Sequence, residues 1–210
     1  MKSFGPDPQH LYELAANQGG YFSSRDAEQA GFSRSLLAWH VRRGSFQRLS
    51  RGVYRLSRFP ASPHEDLTAA AIRAGATPRA GDAVASHVTA LALHDLTDIA
   101  PDRYEFTIPH AKRYRRTPPG IVLHTTTRPL PADEIEVVDG IRTTTAARAL
   151  IDAAAAHYGP EQVERGVWES IRRAKATPEE FERVLAHESE SLRRRFREYV
   201  EHARERLKVL

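Results

Sequence analysis

The sequence predicts an α+β fold, with an N-terminal winged helix-turn-helix domain over residues 1–60 and a mixed α/β unit over residues 61–210 that ends in helices. Three observations lead to it. Between Ala30 and Pro60 stand seven arginines (Arg34, Arg42, Arg43, Arg48, Arg51, Arg55 and Arg58) and no aspartate or glutamate. The same stretch reads as a short capped helix, a glycine stop and a tight hairpin, the helix-and-wing pattern that docks on duplex DNA. Residues 1–60 hold nine Lys/Arg against four Asp/Glu, whereas residues 61–210 hold 22 against 23. Arginine supplies 27 of the 31 basic residues, a bias that a GC-rich genome alone produces, so the placement of these arginines is informative and their abundance is not. A localised surplus attracts polyphosphate by releasing counterions, whereas an even one mainly affects solubility.

Each element of the first domain has a local cause. Pro8 suits a first helical turn, Leu11, Leu14, Ala15 and Gln18 follow at helical spacing, and Gly19 and Gly20 stop the helix. Ser23 or Ser24 caps a second helix carrying Ala27 and Ala30, which Gly31 ends. Ser33 caps the third, Arg34 to Arg43, and Gly44 supplies its left-handed stop. At 100° per residue, Leu36, Leu37, His40 and Val41 share the sector that faces the other helices. Ser35, Ala38 and Arg42 point the opposite way with Trp39 beside them, Trp39 being either a contact or a partly buried packing residue. Arg34 and Arg43 flank this outward face within reach of phosphates, while the central residues approach base edges. The segments FQRLS and GVYRLS, joined around Ser50, Arg51 and Gly52, give a hairpin signal. Strand alternation puts Leu49, Tyr54 and Leu56 on one side and Arg48 with Arg55 on the other, two like charges side by side that call for an anionic partner.

Phe59, Pro60, Ala61, Ser62 and Pro63 read as a stiff connection, after which the pattern changes to an alanine-rich helix from His64 to Ala74. A helix over Val84 to Leu93 is followed by strands at Arg103 to Pro109, Ile121 to Thr126, Ile135 to Val138 and around Ile141. Thr143 or Thr144 caps the helix containing Leu150 and Ile151, and helices beginning near Glu161 and Glu179 complete the chain. With 40% apolar residues the chain can bury a core. No run approaches the roughly 18 apolar residues of a membrane span. The N-terminus, with Pro6 and Pro8, has no hydrophobic signal-peptide core, so a cytoplasmic protein is expected. Zero cysteines exclude disulfides, thiolate zinc sites and cysteine nucleophiles.

The run LLAWHVRRG through FQRLSRGVYRLS, followed by ASHVTALALHDL, YEFTIPHAKRYRR and GIRTTTAARALIDAAA, resembles the AbiEi family of antitoxins from type IV toxin–antitoxin systems. The likeness covers roughly residues 8 to 156. Its most recognisable elements are the RGVY wing, the Ser86-His87 helix, and the Gly140-Ile141-Arg142-Thr143-Thr144 turn with Arg148 and Asp152 beyond it. The resemblance implies a winged-helix domain that binds double-stranded operator DNA and represses its own operon, and a C-terminal domain that neutralises the effect of a nucleotidyltransferase-type toxin; no cofactor is expected. On this sequence the implied DNA contacts fall to Ser35, Arg42 and Arg43 of the third helix and to Arg48, Arg51 and Arg55 of the wing. Several longer relatives end in a nuclease-like domain, whereas this chain finishes in charged helices.

The loop HAKRYRR sets Lys112, Arg113, Arg115 and Arg116 around Tyr114, either an extension of the DNA footprint or a solvated loop. Arg193, Arg194, Arg195 and Arg197 are surrounded by Glu188, Glu190 and Glu198 and read as a salt-bridged surface. His87 and His94 share a helical face with Asp95 following, but no further ligand stands at a recognisable spacing, so no metal site is expected. Asp133, Glu134, Glu136 and Asp139 read as a charged edge. No phosphate-binding glycine loop, nucleophile elbow or His-Glu-x-x-His helix occurs, so no enzyme activity is expected. A stand-alone winged-helix regulator sensing a ligand, or a DNA-processing enzyme, remain the alternatives.

Overall fold

Short polar caps start the N-terminal helices. The Asp7 carboxylate accepts from the His10 amide and opens α1 (Pro8–Ala16). After β1 (Tyr21–Ser23), Ser23 and Asp26 satisfy each other's backbone amides in a capping box at α2 (Ser24–Gln29). Ser33 caps α3 (Arg34–Arg42) by accepting from the Leu36 amide. The hairpin follows as β2 (Phe46–Ser50) and β3 (Val53–Leu56), turning at Gly52 with φ +79°. These positions belong to a computed structural model that describes residues 5–60, 62, 64–79, 81–98 and 101–208. Ala61 and Pro63 of the expected stiff connection lie outside the described residues.

Two expectations for this region are corrected. Tyr21 and Phe22, fully buried, form an unforeseen strand antiparallel to β3, giving a sheet of order β1-β3-β2. In the hairpin, Arg48 stands opposite Tyr54 and Gln47 opposite Arg55, and the register then shifts so that Ser50 pairs with Val53. Leu49 is therefore the extra residue of a bulge. One added residue reverses the alternation beyond it, so Arg48 and Arg55 lie on opposite faces rather than side by side.

Beyond the hairpin the order is α4 (Glu65–Ala74), β4 (Val84–Ala85), α5 (His87–Leu93), β5 (Tyr104–Pro109), β6 (Ile121–Thr126), β7 (Ile135–Val138), β8 (Ile141–Thr144), α6 (Ala146–Ala155), α7 (Pro160–Arg172), α8 (Pro178–Leu185) and α9 (Glu190–Leu207). The architecture is α+β, ending in helices. The second sheet has order β6-β5-β4-β8-β7, with β5/β6 and β4/β8 parallel and the other neighbours antiparallel. The helix expected over Val84 to Leu93 divides, because Val84 and Ala85 pair into this sheet. The expected cap at Thr143 or Thr144 is also corrected. Both are fully buried strand residues, and Thr145 accepts from the Arg148 amide instead.

Three apolar clusters hold these elements. Leu11, Phe22, Phe32, Leu37 and Phe46 fill the winged helix. Leu67, Phe106, Ile108 and Ile141 join α4 to the five-stranded sheet, and Leu150, Val167, Phe181 and Phe196 join the later helices. The winged helix is seated on the rest through close backbone approach. Tyr21 Oη accepts from the Ser62 amide at 3.0 Å. Gly140, at φ +77° in the turn between β7 and β8, lies where an added Cβ would sit 2.9 Å from Gln18 Cα.

That junction is testable. Gly140→Ala combines a left-handed alanine with a clash against backbone and should lower stability by about 2 kcal/mol or more. Gly120→Ala is the control, since Gly120 has φ +74° but open space around it. Urea unfolding of both variants should show the larger loss for Gly140→Ala, and equal losses would remove the close approach to Gln18 as its cause.

Candidate nucleic-acid interface and a buried polar cluster

The inner side of α3 is anchored before its outer side can serve any partner. Leu37 is buried, Leu36, His40 and Val41 are half-buried, and the His40 ring stacks on Phe46 with centroids 4.4 Å apart. This leaves Arg34, Ser35, Ala38, Trp39, Arg42 and Arg43 exposed on one face. Trp39 stands edge-on to His40, and the Arg43 guanidinium lies 5.2 Å from the Trp39 ring centroid. It therefore works as a half-exposed shelf that positions Arg43. Arg34 approaches Glu28 at 3.9 Å, but its side chain is 92% exposed, so the pair is weak.

On the wing, Arg48 and Arg51 are exposed. Arg42, Arg48, Arg51 and Arg58 have no salt bridge or side-chain hydrogen bond among the described residues. Arg58, counted in the basic block but given no role from the sequence, thus joins the free arginines. Arg55 is a correction. Its guanidinium donates to Gln47 Oε1 at 2.6 Å and to the Phe59 carbonyl at 3.2 Å, and its side chain, only 13% exposed, lies 3.8 Å from Glu65. It ties the hairpin to α4 instead of facing a ligand.

The HAKRYRR loop divides in the same way. Lys112 pairs with Asp82. Arg113 lies 4.2 Å over the Tyr114 ring, and Tyr114 is 84% exposed. Arg115 is half-buried and Arg116 exposed. In the C-terminal helices, Arg193 pairs with Glu190 and Arg197 with Glu182, as expected of a salt-bridged surface, while Arg195 donates to the Ala154 carbonyl.

The other predicted site residues gather around buried charge. Ser86 Oγ accepts from Thr107 Oγ1 at 2.9 Å and lies 2.9 Å from His87 Nδ1. His87 opens α5 with φ +52°, and its ring stacks on His124 at 3.8 Å between centroids. Glu105 Oε2 is 3.1 Å from His124 Nε2 and 3.8 Å from His87 Nδ1, while Oε1 accepts from Tyr158 Oη at 3.0 Å. Arg148 pairs with Asp152 at 2.7 Å, Glu134 at 3.3 Å and Glu188 at 3.4 Å, and Arg128 completes the group on Glu134 at 2.9 Å. Thr143 and Thr144 serve the sheet: Thr143 Oγ1 donates to the Ala85 carbonyl, and the Thr144 carbonyl accepts from His94 Nε2 at 2.8 Å.

Several sequence readings change here. His94 faces Thr144 and Glu136, and Asp95 lies near Arg173 and Lys175, so neither joins His87. Glu134 is buried, not part of a charged edge. Glu105, His124 and Tyr158 have no role in the sequence reading, and Glu188, read there as part of a salt-bridged surface, pairs with Arg148 instead. Only the pairing of β5 with β6, which sets Thr107 beside His124, brings Glu105 and His124 together.

Burial bears on His87, Glu105 and Arg148 alike but among them sets the direction only for His87. It pushes His87 down to about 4, assisted by His124 and opposed by Glu105. Burial alone would raise Glu105, but hydrogen bonding from His124, the nearby His87 and the Tyr158 hydroxyl together hold it below the usual carboxylate range. Burial also works against the charge on Arg148, and Asp152, Glu188 and Glu134 more than restore it.

Comparison with known proteins bears on both regions. The family model of the AbiEi antitoxin transcriptional regulator matches residues 9–57, the span from α1 to just past β3, so the likeness to that family lies in the N-terminal winged helix. The crystal structure of the RV2827C protein from Mycobacterium tuberculosis is similar in fold over 96% of this chain and 79% of that one, with a TM-score of 0.55 and 14% identity. No curated protein matches the chain. Among the described residues, no helix is long and apolar enough to cross a membrane.

The lowered His87 value gives a pH dependence of definite sign. The unfolded chain takes up the histidine proton near pH 6.5 and the folded one only near pH 4, so the stabilisation is full above pH 6.5 and is lost as pH falls toward 4. About 3 kcal/mol should disappear across that window. His87→Asn, which tolerates the left-handed backbone, should flatten the profile in urea titrations run in EDTA from pH 7 to 4. An unchanged slope would exclude His87 as the source.

Proposed function

We propose that this chain is the antitoxin of a type IV toxin–antitoxin pair, a cytoplasmic regulator without catalysis of its own. The winged helix, as a domain of residues 1–60, binds operator DNA and represses the chain's own operon. The remainder, residues 61–210, opposes a nucleotidyltransferase-type toxin. The observation that carries the DNA reading is the split among the arginines. Arg42, Arg43, Arg48 and Arg51 are exposed on a capped helix and wing, with Arg58 just beyond it, whereas Arg55, Arg128 and Arg148 lie beside carboxylates deeper in the molecule. Ser35 and Arg42 lie central on the outward face and read base edges, with Arg34, Arg43 and the wing arginines on phosphates. The near-neutral charge of residues 61–210 favours opposition to the toxin by shape and hydrogen bonding, with Arg113 and Tyr114 available to a nucleic acid.

Quantitative binding to the duplex upstream of the reading frame separates the roles. Arg42→Ala should cost about 1–3 kcal/mol on the operator and relax discrimination at one base pair. Arg51→Ala should weaken operator and random duplex alike and reduce the salt slope by about one. Arg55→Ala should leave the salt slope unchanged and lower the unfolding midpoint instead. A salt slope that falls equally for Arg51→Ala and Arg55→Ala would overturn this assignment.

The two activities are tested in one strain carrying a reporter on the promoter and the adjacent toxin gene under separate control. Arg42→Ala with Arg51→Ala should derepress the reporter while preserving rescue of growth at matched protein levels. Loss of both readouts together would mean that neutralisation is only silencing of the operon.

A further inference from the structure

We infer that His87, Glu105 and His124 form a binding site for one divalent transition-metal cation of the zinc class. Three separate elements deliver the ligands: His87 from the start of α5, Glu105 from β5 and His124 from β6. One ligand atom from each lies within 4.8 Å of the others, with Glu105 Oε2 3.8 Å from His87 Nδ1 and 3.1 Å from His124 Nε2. Zinc bonds of about 2.0–2.2 Å to imidazole and carboxylate require ligand spacings of this order, and three protein ligands leave a position for water or substrate.

Two further observations favour a cation. His87 holds a left-handed backbone at φ +52°, a conformation that a non-glycine residue adopts at a cost and that concentrates at functional positions. Its Nδ1 lies 3.8 Å from Glu105 Oε2. The surrounding network also carries surplus negative charge. Glu134, Asp152 and Glu188 share the guanidiniums of Arg128 and Arg148, Glu105 has the two imidazoles and the Tyr158 hydroxyl beside it instead of a guanidinium, and a divalent ion close to Glu105 offsets that surplus. One outer partner is in place: Tyr158 donates to Glu105 Oε1, leaving Oε2 for the ion, while Ser86 Oγ, 2.9 Å from His87 Nδ1, gives way to the ion. Coordination in the plane of both imidazoles requires the His124 ring to turn out of its stack on His87, which its 33% side-chain exposure permits. The ion then clips α5, β5 and β6 together.

The test uses the full chain, stripped with EDTA and dialysed, with Co2+ and Zn2+ alone as probes. Wild type should bind one equivalent of Co2+ with visible absorption, lose that absorption to Zn2+, and show a higher unfolding midpoint in Zn2+. His124→Ala and Glu105→Gln should each weaken binding at least about tenfold, the smallest loss expected when even an outer partner is removed. His202→Ala, at the exposed pair with Glu164, should change nothing. X-ray absorption of zinc-loaded wild type should show two imidazole ligands, a readout that requires no variant to fold. Failure of wild type to saturate at one equivalent, binding that survives in both variants, or a zinc shell without imidazole would overturn the site.

Discussion

Arg148 enters the interior from the first turn of α6 with only 17% of its side chain exposed, and a guanidinium in that position must find carboxylates or destabilise the fold. Asp152 answers it from the next turn of the same helix, Glu134 from the 3-10 turn before β7, and Glu188 from the connection between α8 and α9. These segments are remote in sequence, so one buried cation fixes how the edge of the sheet meets the C-terminal helices. The apolar cluster around Leu150 and Phe181 supplies most of the burial. It is not directional, however, and the charges select the arrangement in which the ends of these elements coincide. Removing Arg148 would strand buried carboxylates, which is far more damaging than losing an exposed pair such as Arg197 with Glu182.

The winged helix was legible because its signals are local. Ser33 before a periodic run, Gly44 after it, and an apolar arc at Leu36, Leu37, His40 and Val41 all act within a few residues. The wing was legible as a hairpin but not in register, since a bulge at Leu49 obeys no residue type and reverses every later side chain. Tyr21 to Ser23 is too short to show a period and becomes a strand only because β3 lies beside it. The three consecutive threonines before α6 left the cap ambiguous. Sheet pairing buries Thr143 and Thr144 and frees Thr145 for the helix.

The candidate sites differ in legibility for the same reason. Charge clustering exposed the α3 and wing arginines directly, although only the bulge and Glu65 reveal that Arg55 is spent internally. Ser86, His87, Arg148 and Asp152 came from the family likeness, and nothing in their spacing shows that they surround buried charge. Glu105 and His124 lie in ordinary strand patterns nineteen residues apart. Their meeting depends on β5 and β6 running parallel, which sequence periodicity does not specify.

The join between the two regions determines what can pass between them. It runs through the close approach of Gly140 to Gln18, the Ser62 amide on Tyr21, and Arg55 beside Glu65. All of these contacts lie on β1, β3 and the turn after α1, behind the sheet that carries the wing. None uses the outward face of α3. Gly140 itself follows β7, whose preceding turn carries Glu134 into the Arg148 network, and it precedes β8, which leads into α6. A change in the buried charges therefore has a short covalent route to the base of the winged helix, while the exposed arginines keep their geometry from the apolar packing of Leu37 and Phe46 beneath them. The fold thus leaves the exposed arginines to the packing of the winged helix itself and the seating of the two regions to the turn at Gly140, which adjoins the strands leading to the buried network.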